Sequence, residues 1–188
     1  MSTIVDDPTL AIARRLRAER EARGWTIADL SGLSGVSKAM ISKIERAEAS
    51  PTAMLLGRLS GAFGVTLSRL LAGAEDAGQR LARSTDQPVW RDPETGYVRR
   101  AVSPPSGGPL ELVSVEIPAG ARVAYPASAF TFIHQQIWVT GGTLVFREGD
   151  IEHHLSAGDC LQLGQPAECS FANPGTLACT YLVAIVRR

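Results

Sequence analysis

The 188-residue sequence lacks the long apolar stretch that a membrane-spanning helix requires. No hydrophobic run approaches the ~18 consecutive residues that such a helix needs. The first residues have neither a basic head nor an apolar run, so we expect no secretory signal peptide. Cysteine is scarce as well: Cys160, Cys169 and Cys179 are odd in number and have no CxxC spacing. This excludes a disulfide framework and favours a reducing, cytoplasmic compartment.

Lysine is nearly absent, and charge is distributed unevenly along the chain. The two lysines, Lys38 and Lys43, stand close together. Residues 1–73 contain ten basic and seven acidic side chains, and the remainder contains nine and twelve, although the net formal charge is zero. The first part could therefore meet a polyanion that the second part would avoid.

Signals for the starts and ends of helices dominate the first seventy residues. The start signals are cap residues, two of them followed by proline, and the stop signals are glycines. The start signals are Asp7-Pro8, Thr26–Asp29, Ser37, Ser50-Pro51 and Thr66. The stop signals are Gly24 and Gly64. We predict four or five short helices forming an all-α domain over residues 1–73, followed by a small, polar linker over residues 74–88.

The hydrophobic period changes to two in the C-terminal part, as in Leu110–Ile117. Similar runs follow, separated by turn dipeptides such as Gly141-Gly142 and Pro174-Gly175. They cover residues 122–125, 130–139, 143–147, 151–155, 160–163, 169–172 and 179–186. About eight short strands at regular spacing predict an all-β closed barrel or jelly roll over residues 89–188.

Residues 24–45 have the pattern of two short helices across a glycine-containing turn. Val36, Ile41 and Ile44 would hold the second helix to the core, so that its other face could enter the major groove of DNA. The stretches L-R-A-E-R-E-A-R-G-W-T at 16–26, I-S-K-I-E-R at 41–46 and S-P-T at 50–52 occur in order. On these motifs, residues 10–71 resemble the lambda-repressor-like, or XRE-family, helix-turn-helix domain.

The resemblance implies a recognition helix over residues 37–46 and binding to double-stranded DNA. The expected DNA-binding residues are Thr26, Ser37, Lys38, Ala39, Met40, Ser42, Lys43 and Thr52. Of these, Thr26, Lys43 and Thr52 are expected near phosphates. Glu45 is implied to be structural rather than a base contact. Ile27 departs from the family, which often carries at this place a Gln that contacts the operator backbone.

Residues 133–146 and 155–175 resemble the two sequence motifs of the cupins, the first in degraded form. The turn Gly158-Asp159 and the closing Asn173-Pro174-Gly175 match well. This resemblance implies that the predicted barrel is a cupin domain.

The metal ligands of the cupins do not carry over to this chain. A metal-binding cupin uses two His and a carboxylate from the first motif and a His from the second. The corresponding positions here hold Ala129, Thr131, Gln135 and Cys169. An amide and a lone thiol cannot hold a divalent metal in such a site. We therefore predict no metal, no cofactor and no catalytic residue.

A barrel without a metal could hold a small organic effector. The cupin resemblance places Gln135, Cys169 and Gln162 near the cavity. Weaker candidates are Arg122, Tyr125, His134 and Trp138. Two alternatives stay open: the barrel is filled and purely structural, or Cys169 is a redox-sensing thiol.

The sequence thus predicts a homodimeric transcriptional regulator that binds a palindromic operator, because one helix-turn-helix reads too few base pairs. The barrels could supply the dimer contact through edge strands or apolar faces. Repression is favoured over activation by family analogy. The alternatives are a cupin enzyme with an autoregulatory DNA-binding domain and a constitutive DNA-binding protein.

Overall fold

A computed structural model describes residues 8–71, 79–104 and 108–187. Asp7 of the first predicted helix cap and the start of the predicted linker lie outside the described residues. Residues 79–88 of that linker contain no helix or strand. Among the helices described, none is both long enough and apolar enough to cross a membrane.

The N-terminal part consists of five α-helices, as the sequence predicted. They are α1 (Pro8–Ala22), α2 (Ile27–Ser34), α3 (Lys38–Glu45), α4 (Ala53–Phe63) and α5 (Leu67–Leu71). Their apolar faces meet in a core in which Leu16, Leu30, Ile41 and Leu56 are at most 1% exposed. Burial of these faces stabilises helices that would be too short to persist alone in water.

Side-chain caps and left-handed glycines set the helix boundaries. Gly64 ends α4 with φ 65°, a conformation that glycine adopts without steric cost. The predicted start of α4 at Ser50-Pro51 is wrong by two residues, because Thr52 is the N-cap and its hydroxyl accepts from Leu55 N at 3.4 Å. The cap predicted at Thr66 is confirmed, since its hydroxyl accepts from Arg69 N at 3.2 Å.

The C-terminal part is built from ten antiparallel strands. They are β1 (Val89–Arg91), β2 (Val98–Ala101), β3 (Leu110–Ile117), β4 (Arg122–Tyr125), β5 (Ile133–Gly141), β6 (Thr143–Glu148), β7 (Ile151–Ser156), β8 (Cys160–Gln162), β9 (Cys169–Ala172) and β10 (Cys179–Arg187). One sheet has the order β1-β2-β3-β10-β5-β8 and the other β4-β9-β6-β7. This two-sheet arrangement confirms the predicted cupin-type jelly roll.

Alternation along each strand sends one set of side chains into the space between the sheets. On β5, Ile133, Gln135, Ile137 and Val139 are buried, whereas the residues between them are exposed. Strands β1 and β2 extend the larger sheet beyond the eight runs that the sequence indicated. They bring Trp90 and Arg99 into the interior, where both side chains are buried.

Helix α4 packs directly against the barrel. It contacts β4 and the 3₁₀ helix Ala127–Ala129 that follows β4. Two glycines of α4 allow this approach. A Cβ on Gly57 would lie 2.8 Å from Tyr125 Cδ1, and one on Gly61 would lie 2.9 Å from the Ser128 carbonyl carbon. The helical part and the barrel therefore meet across a surface with no space for a methyl group at these positions.

Candidate functional sites: the recognition helix and the barrel interior

The turn between α2 and α3 is fixed at both ends by capping interactions. Thr26 and Asp29 form a reciprocal capping box at the start of α2, as predicted. Gly35 ends α2 with φ 68°, and its N–H donates to Ser31 O at 2.9 Å. Ser37 caps α3 by accepting from Met40 N at 3.2 Å. These contacts hold the two helices at a defined angle, which a groove-reading helix needs.

Helix α3 has one buried face and one open face. Ile41 and Ile44 are fully buried and Val36 is nearly so, which confirms that they attach this helix to the core. The opposite side carries the residues that the family resemblance assigned to DNA. Of these, Ser37, Lys38, Ala39 and Lys43 are exposed, and Met40 and Ser42 are half-buried. Neither lysine forms an ion pair with any residue that the structure describes.

A two-pronged ion pair anchors α3 to α1. Arg20 Nε donates to Glu45 Oε1 at 2.7 Å, and Arg20 Nη2 donates to Glu45 Oε2 at 2.8 Å. Arg20 Nη1 also donates to Trp25 O at 2.9 Å. The Glu45 side chain is only 7% exposed. Its implied structural role is confirmed, because both carboxylate oxygens are occupied away from the open face.

The polar groups of Thr26 are already engaged within the cap. Its hydroxyl and its backbone N–H both donate to Asp29 Oδ2, at 2.7 and 2.8 Å. The hydroxyl of Thr26 lowers the pKa of Asp29, so this carboxylate stays charged at neutral pH. A DNA phosphate at Thr26 would therefore compete with a negative charge. Ser42 likewise accepts a hydrogen bond from Arg46, and Thr52 is half-buried at the start of α4.

The seven effector candidates divide between the two faces of the barrel wall. Tyr125, Gln135 and Cys169 are buried and lie on the inner side. Tyr125 and Gln135 line one cavity, and Cys169 is not among the residues that line it.

The other four candidates lie on the outside, which corrects their assignment to the cavity. His134 and Trp138 are exposed on β5 because they alternate with the inward residues. Gln162 is exposed and accepts from Gln136 Nε2 at 3.1 Å on the outer face. Arg122 is exposed and donates to Ser170 Oγ at 3.1 Å. None of these side chains lines the interior cavity.

Cys169 is a buried thiol that hydrogen-bonds to Ala167 O at 3.4 Å. Burial, reinforced by Glu148 and Glu168, raises the pKa of Cys169 to about 12. A sensor cysteine needs an accessible thiolate at neutral pH. The surroundings of Cys169 provide the reverse and argue against the redox alternative.

Three buried residues that the sequence analysis did not single out surround the interior: Tyr97, Arg99 and Tyr181. Arg99 Nη1 donates to Tyr97 Oη at 3.0 Å. Arg99 lies opposite Val115, which in turn lies opposite Tyr181 across the sheet. Burial alone would lower the pKa of Arg99, but the nearby tyrosines outweigh it and raise the pKa, so the guanidinium stays charged. No local signal in the sequence marks this pair, because Arg99 is buried through the pairing of β2 with the distant strand β3.

A cavity of about 40 Å³ lies between the barrel interior and the helices. Its walls come from both parts of the chain. They are Gly57, Ser60, Thr66 and Leu67 from the helical part and Arg99, Tyr125, Ala129, Phe130, Ile133, Gln135, Phe171 and Ile185 from the barrel. The helical domain thus closes one end of the barrel interior.

The described residues contain no group of three or more His, Cys, Asp or Glu side chains that could together hold a metal ion. The positions that correspond to cupin ligands are dispersed. Ala129 lies in the 3₁₀ helix, Thr131 is exposed, and Gln135 and Cys169 are buried without an acidic or His partner in hydrogen-bonding contact. The chemistry available in the interior is that of one guanidinium, several phenols and an amide.

Comparison with known proteins matches the N-terminal part of the chain to a helix-turn-helix family. Residues 16–70 match the family model HTH_3, described as helix-turn-helix. The HTH-type transcriptional regulator SutR of Escherichia coli (strain K12) is 35% identical over 66 residues, which cover 35% of this chain and 37% of that protein. The HTH-type transcriptional regulator DdrOP3 of Deinococcus deserti is 31% identical over 78 residues, 42% of this chain and 60% of that protein. The matches thus span less than two thirds of each of these two relatives.

The fold of the whole chain has a counterpart among solved structures. The crystal structure of an HTH_3 family transcriptional regulator from Vibrio cholerae superimposes with a TM-score of 0.78. The superposition covers 95% of this chain and 96% of that chain at 20% sequence identity. A helix-turn-helix domain followed by a barrel of this type therefore occurs as one arrangement in another chain.

Proposed function

We propose that this chain, whose residues 16–70 match the helix-turn-helix family model HTH_3, is a sequence-specific, DNA-binding transcriptional regulator. Its barrel binds a small-molecule effector without a metal and catalyses no reaction. The observation that carries the proposal is the open face of α3, where the side chains of Lys38 and Lys43 are exposed and form no ion pair with a described residue. Basic side chains on an exposed helix of this motif suit the major groove and its phosphates.

We further propose that the regulator acts as a homodimer on a palindromic operator in the cytoplasm. Trp138 is 48% exposed on the outer face of the larger sheet. It lies opposite Leu182 and Cys160, and Leu112 continues the same face. An exposed tryptophan with apolar neighbours on a sheet face is suited to pairing with a second copy of itself.

The dimer is tested by light scattering coupled to size-exclusion chromatography. Trp138→Glu places a charge in the proposed contact and is expected to convert a dimer into a monomer. Ile151→Glu is the matched control, because Ile151 is 59% exposed on the opposite sheet. A dimer that survives Trp138→Glu unchanged would exclude this face.

DNA binding is tested by fluorescence anisotropy with palindromes from the DNA upstream of the gene. Lys43→Ala is expected to weaken binding to all sequences and to reduce the slope of log K against log salt by about 0.9, the value for one phosphate contact. Lys38→Ala is expected to reduce discrimination between operator and unrelated DNA, since the first turn of the recognition helix is closest to base edges.

Arg147→Ala on the barrel is the control for loss of charge and should leave the slope unchanged. Absence of any sequence-specific complex at low salt would overturn the proposal of a DNA-binding regulator. We propose repression as the outcome of operator binding, on family analogy. A reporter gene that rises when the chain is removed would support it.

A further inference from the structure

The barrel interior holds a positive charge that no negative charge balances. Arg99 is 7% exposed, and no carboxylate among the described residues lies within salt-bridge distance of its guanidinium. Its one hydrogen bond within the described residues goes to the neutral acceptor Tyr97 Oη. Arg99 Nε is buried and has no hydrogen-bond partner in the part of the chain that the structure describes. A buried charge in this state is costly unless a counter-charge and hydrogen bonds are supplied.

A phenol on the wall of the same cavity also lacks a partner. The hydroxyl of Tyr125 is buried and makes no hydrogen bond with a described residue. Burial raises the pKa of Tyr125 well above the usual value, so the phenol remains protonated and can donate its O–H to an acceptor. One cation and one phenol donor therefore line a cavity whose other polar side chains, Ser60, Thr66 and Gln135, are neutral.

We propose that Arg99 and Tyr125, which both line the cavity between the barrel and α4, bind an oxyanion, the carboxylate, phosphate or sulfate group of a small metabolite. This rests on the proposed function in one respect: the anion is the effector that changes operator binding. An oxyanion has several lone pairs and a negative charge, and it satisfies the unpartnered donors and the guanidinium together. Gln135, in the same cavity wall, is neutral and adds an amide to the contact.

The position of the site explains how binding reaches the DNA-binding domain. The cavity of about 40 Å³ is larger than one water needs and far smaller than the ~300 Å³ or more of ordinary ligand pockets. Gly57 and Ser60 of α4 form part of its wall. An anion that carries an organic body must therefore push α4 away from β4. Binding thus loosens the contact that sets the position of the helix-turn-helix relative to the barrel.

Anion binding is tested by thermal unfolding of the full chain in sodium acetate, sodium sulfate and sodium phosphate, each against sodium chloride at equal ionic strength. The variants are Arg99→Met, Tyr125→Phe and Arg100→Met. Arg100 is the matched control because it neighbours Arg99 on β2 and donates to Ser84 O outside the interior. Sulfate and phosphate stabilise many proteins nonspecifically. Specific binding is therefore judged from the difference in Tm response between the variants.

Three results are expected. At least one oxyanion raises the Tm of the unsubstituted chain and of Arg100→Met by the same amount, with saturation. Arg99→Met loses the saturable response, because the cation that attracts the anion is gone. Tyr125→Phe keeps its fold, since that hydroxyl makes no hydrogen bond with a described residue, and needs about tenfold more anion. Acetate acting alone identifies a carboxylate, and sulfate or phosphate acting alone identifies a tetrahedral anion.

A response that Arg99→Met retains in full, or no saturable response to any of the three anions, would overturn the site. Operator affinity is measured in parallel in chloride to separate the two proposals. Specific DNA binding without an anion response would support the proposed regulator and reject an oxyanion as its effector. An anion response without specific DNA binding would support the anion site and reject the proposed regulator.

Discussion

Replacing Gly61 by alanine tests the contact between α4 and the barrel. The new Cβ would lie 2.7 Å from Ser128 Oγ and 2.9 Å from the Ser128 carbonyl carbon. Favourable contacts between carbon atoms lie at about 3.5–4.0 Å, so the methyl group forces the 3₁₀ helix away. Overpacking of this type costs about 1–3 kcal/mol. This energy cost applies only while α4 is packed against the barrel.

Alanine also favours the helix by about 1 kcal/mol relative to glycine, whether or not α4 is docked. The free energy of the docked state therefore becomes less favourable by up to about 2 kcal/mol. The helix gain is the same in both states, so the clash alone shifts the equilibrium toward separated domains, by roughly 5- to 150-fold. Gly32→Ala in α2 is the matched control, because its Cβ would meet nothing within 4 Å. It should stabilise the helical domain by about 1 kcal/mol.

The assay combines scanning calorimetry with hydrogen exchange followed by mass spectrometry. In Gly61→Ala the two domains should unfold at more widely separated temperatures, and amides of residues 125–130 should exchange faster. Gly32→Ala should raise the first transition and leave exchange over residues 125–130 as it was. If Gly61→Ala stabilises the chain as much as Gly32→Ala and exchange is unchanged, the close approach of α4 to the barrel is refuted.

Two further predictions concern groups whose surroundings differ sharply within the same chain. Glu45→Ala should lower the free energy of unfolding in urea by about 3 kcal/mol, the lower end of the range for broken buried pairs. Its arginine partner is 12% exposed. Glu48→Ala removes an exposed pair and should leave that free energy nearly unchanged, so equal losses would contradict the anchoring role of Glu45. Iodoacetamide at mildly alkaline pH should label the exposed Cys160 in the folded chain but Cys169 only after denaturation. The reason is that alkylation requires a thiolate and the pKa of Cys169 is about 12. Labelling of Cys169 in the folded chain at the rate of Cys160 would contradict its burial.

The helical domain could be predicted closely because its boundary signals are local. A capping box such as Thr26–Asp29 and a stop such as Gly64 are complete within a few residues, so the sequence contains the whole interaction. The boundary error at the start of α4 arose where Ser50 and Thr52 compete as caps. Only geometry shows that the Thr52 hydroxyl reaches Leu55 N.

The barrel interior could be predicted only in part, because its decisive contacts are not local. Adjacent residues of a strand face opposite ways, so motif alignment named both the inward Gln135 and the outward His134. Strand β2 was missed because Val98–Ala101 contains two arginines and shows no polar alternation. Arg99 is buried through pairing with distant β3, which no short window of sequence reveals.

The two glycines of α4 restrict which domains can be joined in this architecture. A chimera that keeps this barrel and borrows the helical domain of a relative would need a residue without a side chain at the positions of Gly57 and Gly61. An alanine at either place would yield a protein whose parts each fold while their mutual orientation is lost. Exchange of barrels among chains of this architecture is therefore limited by compatibility along one helix rather than by the length of the connecting segment.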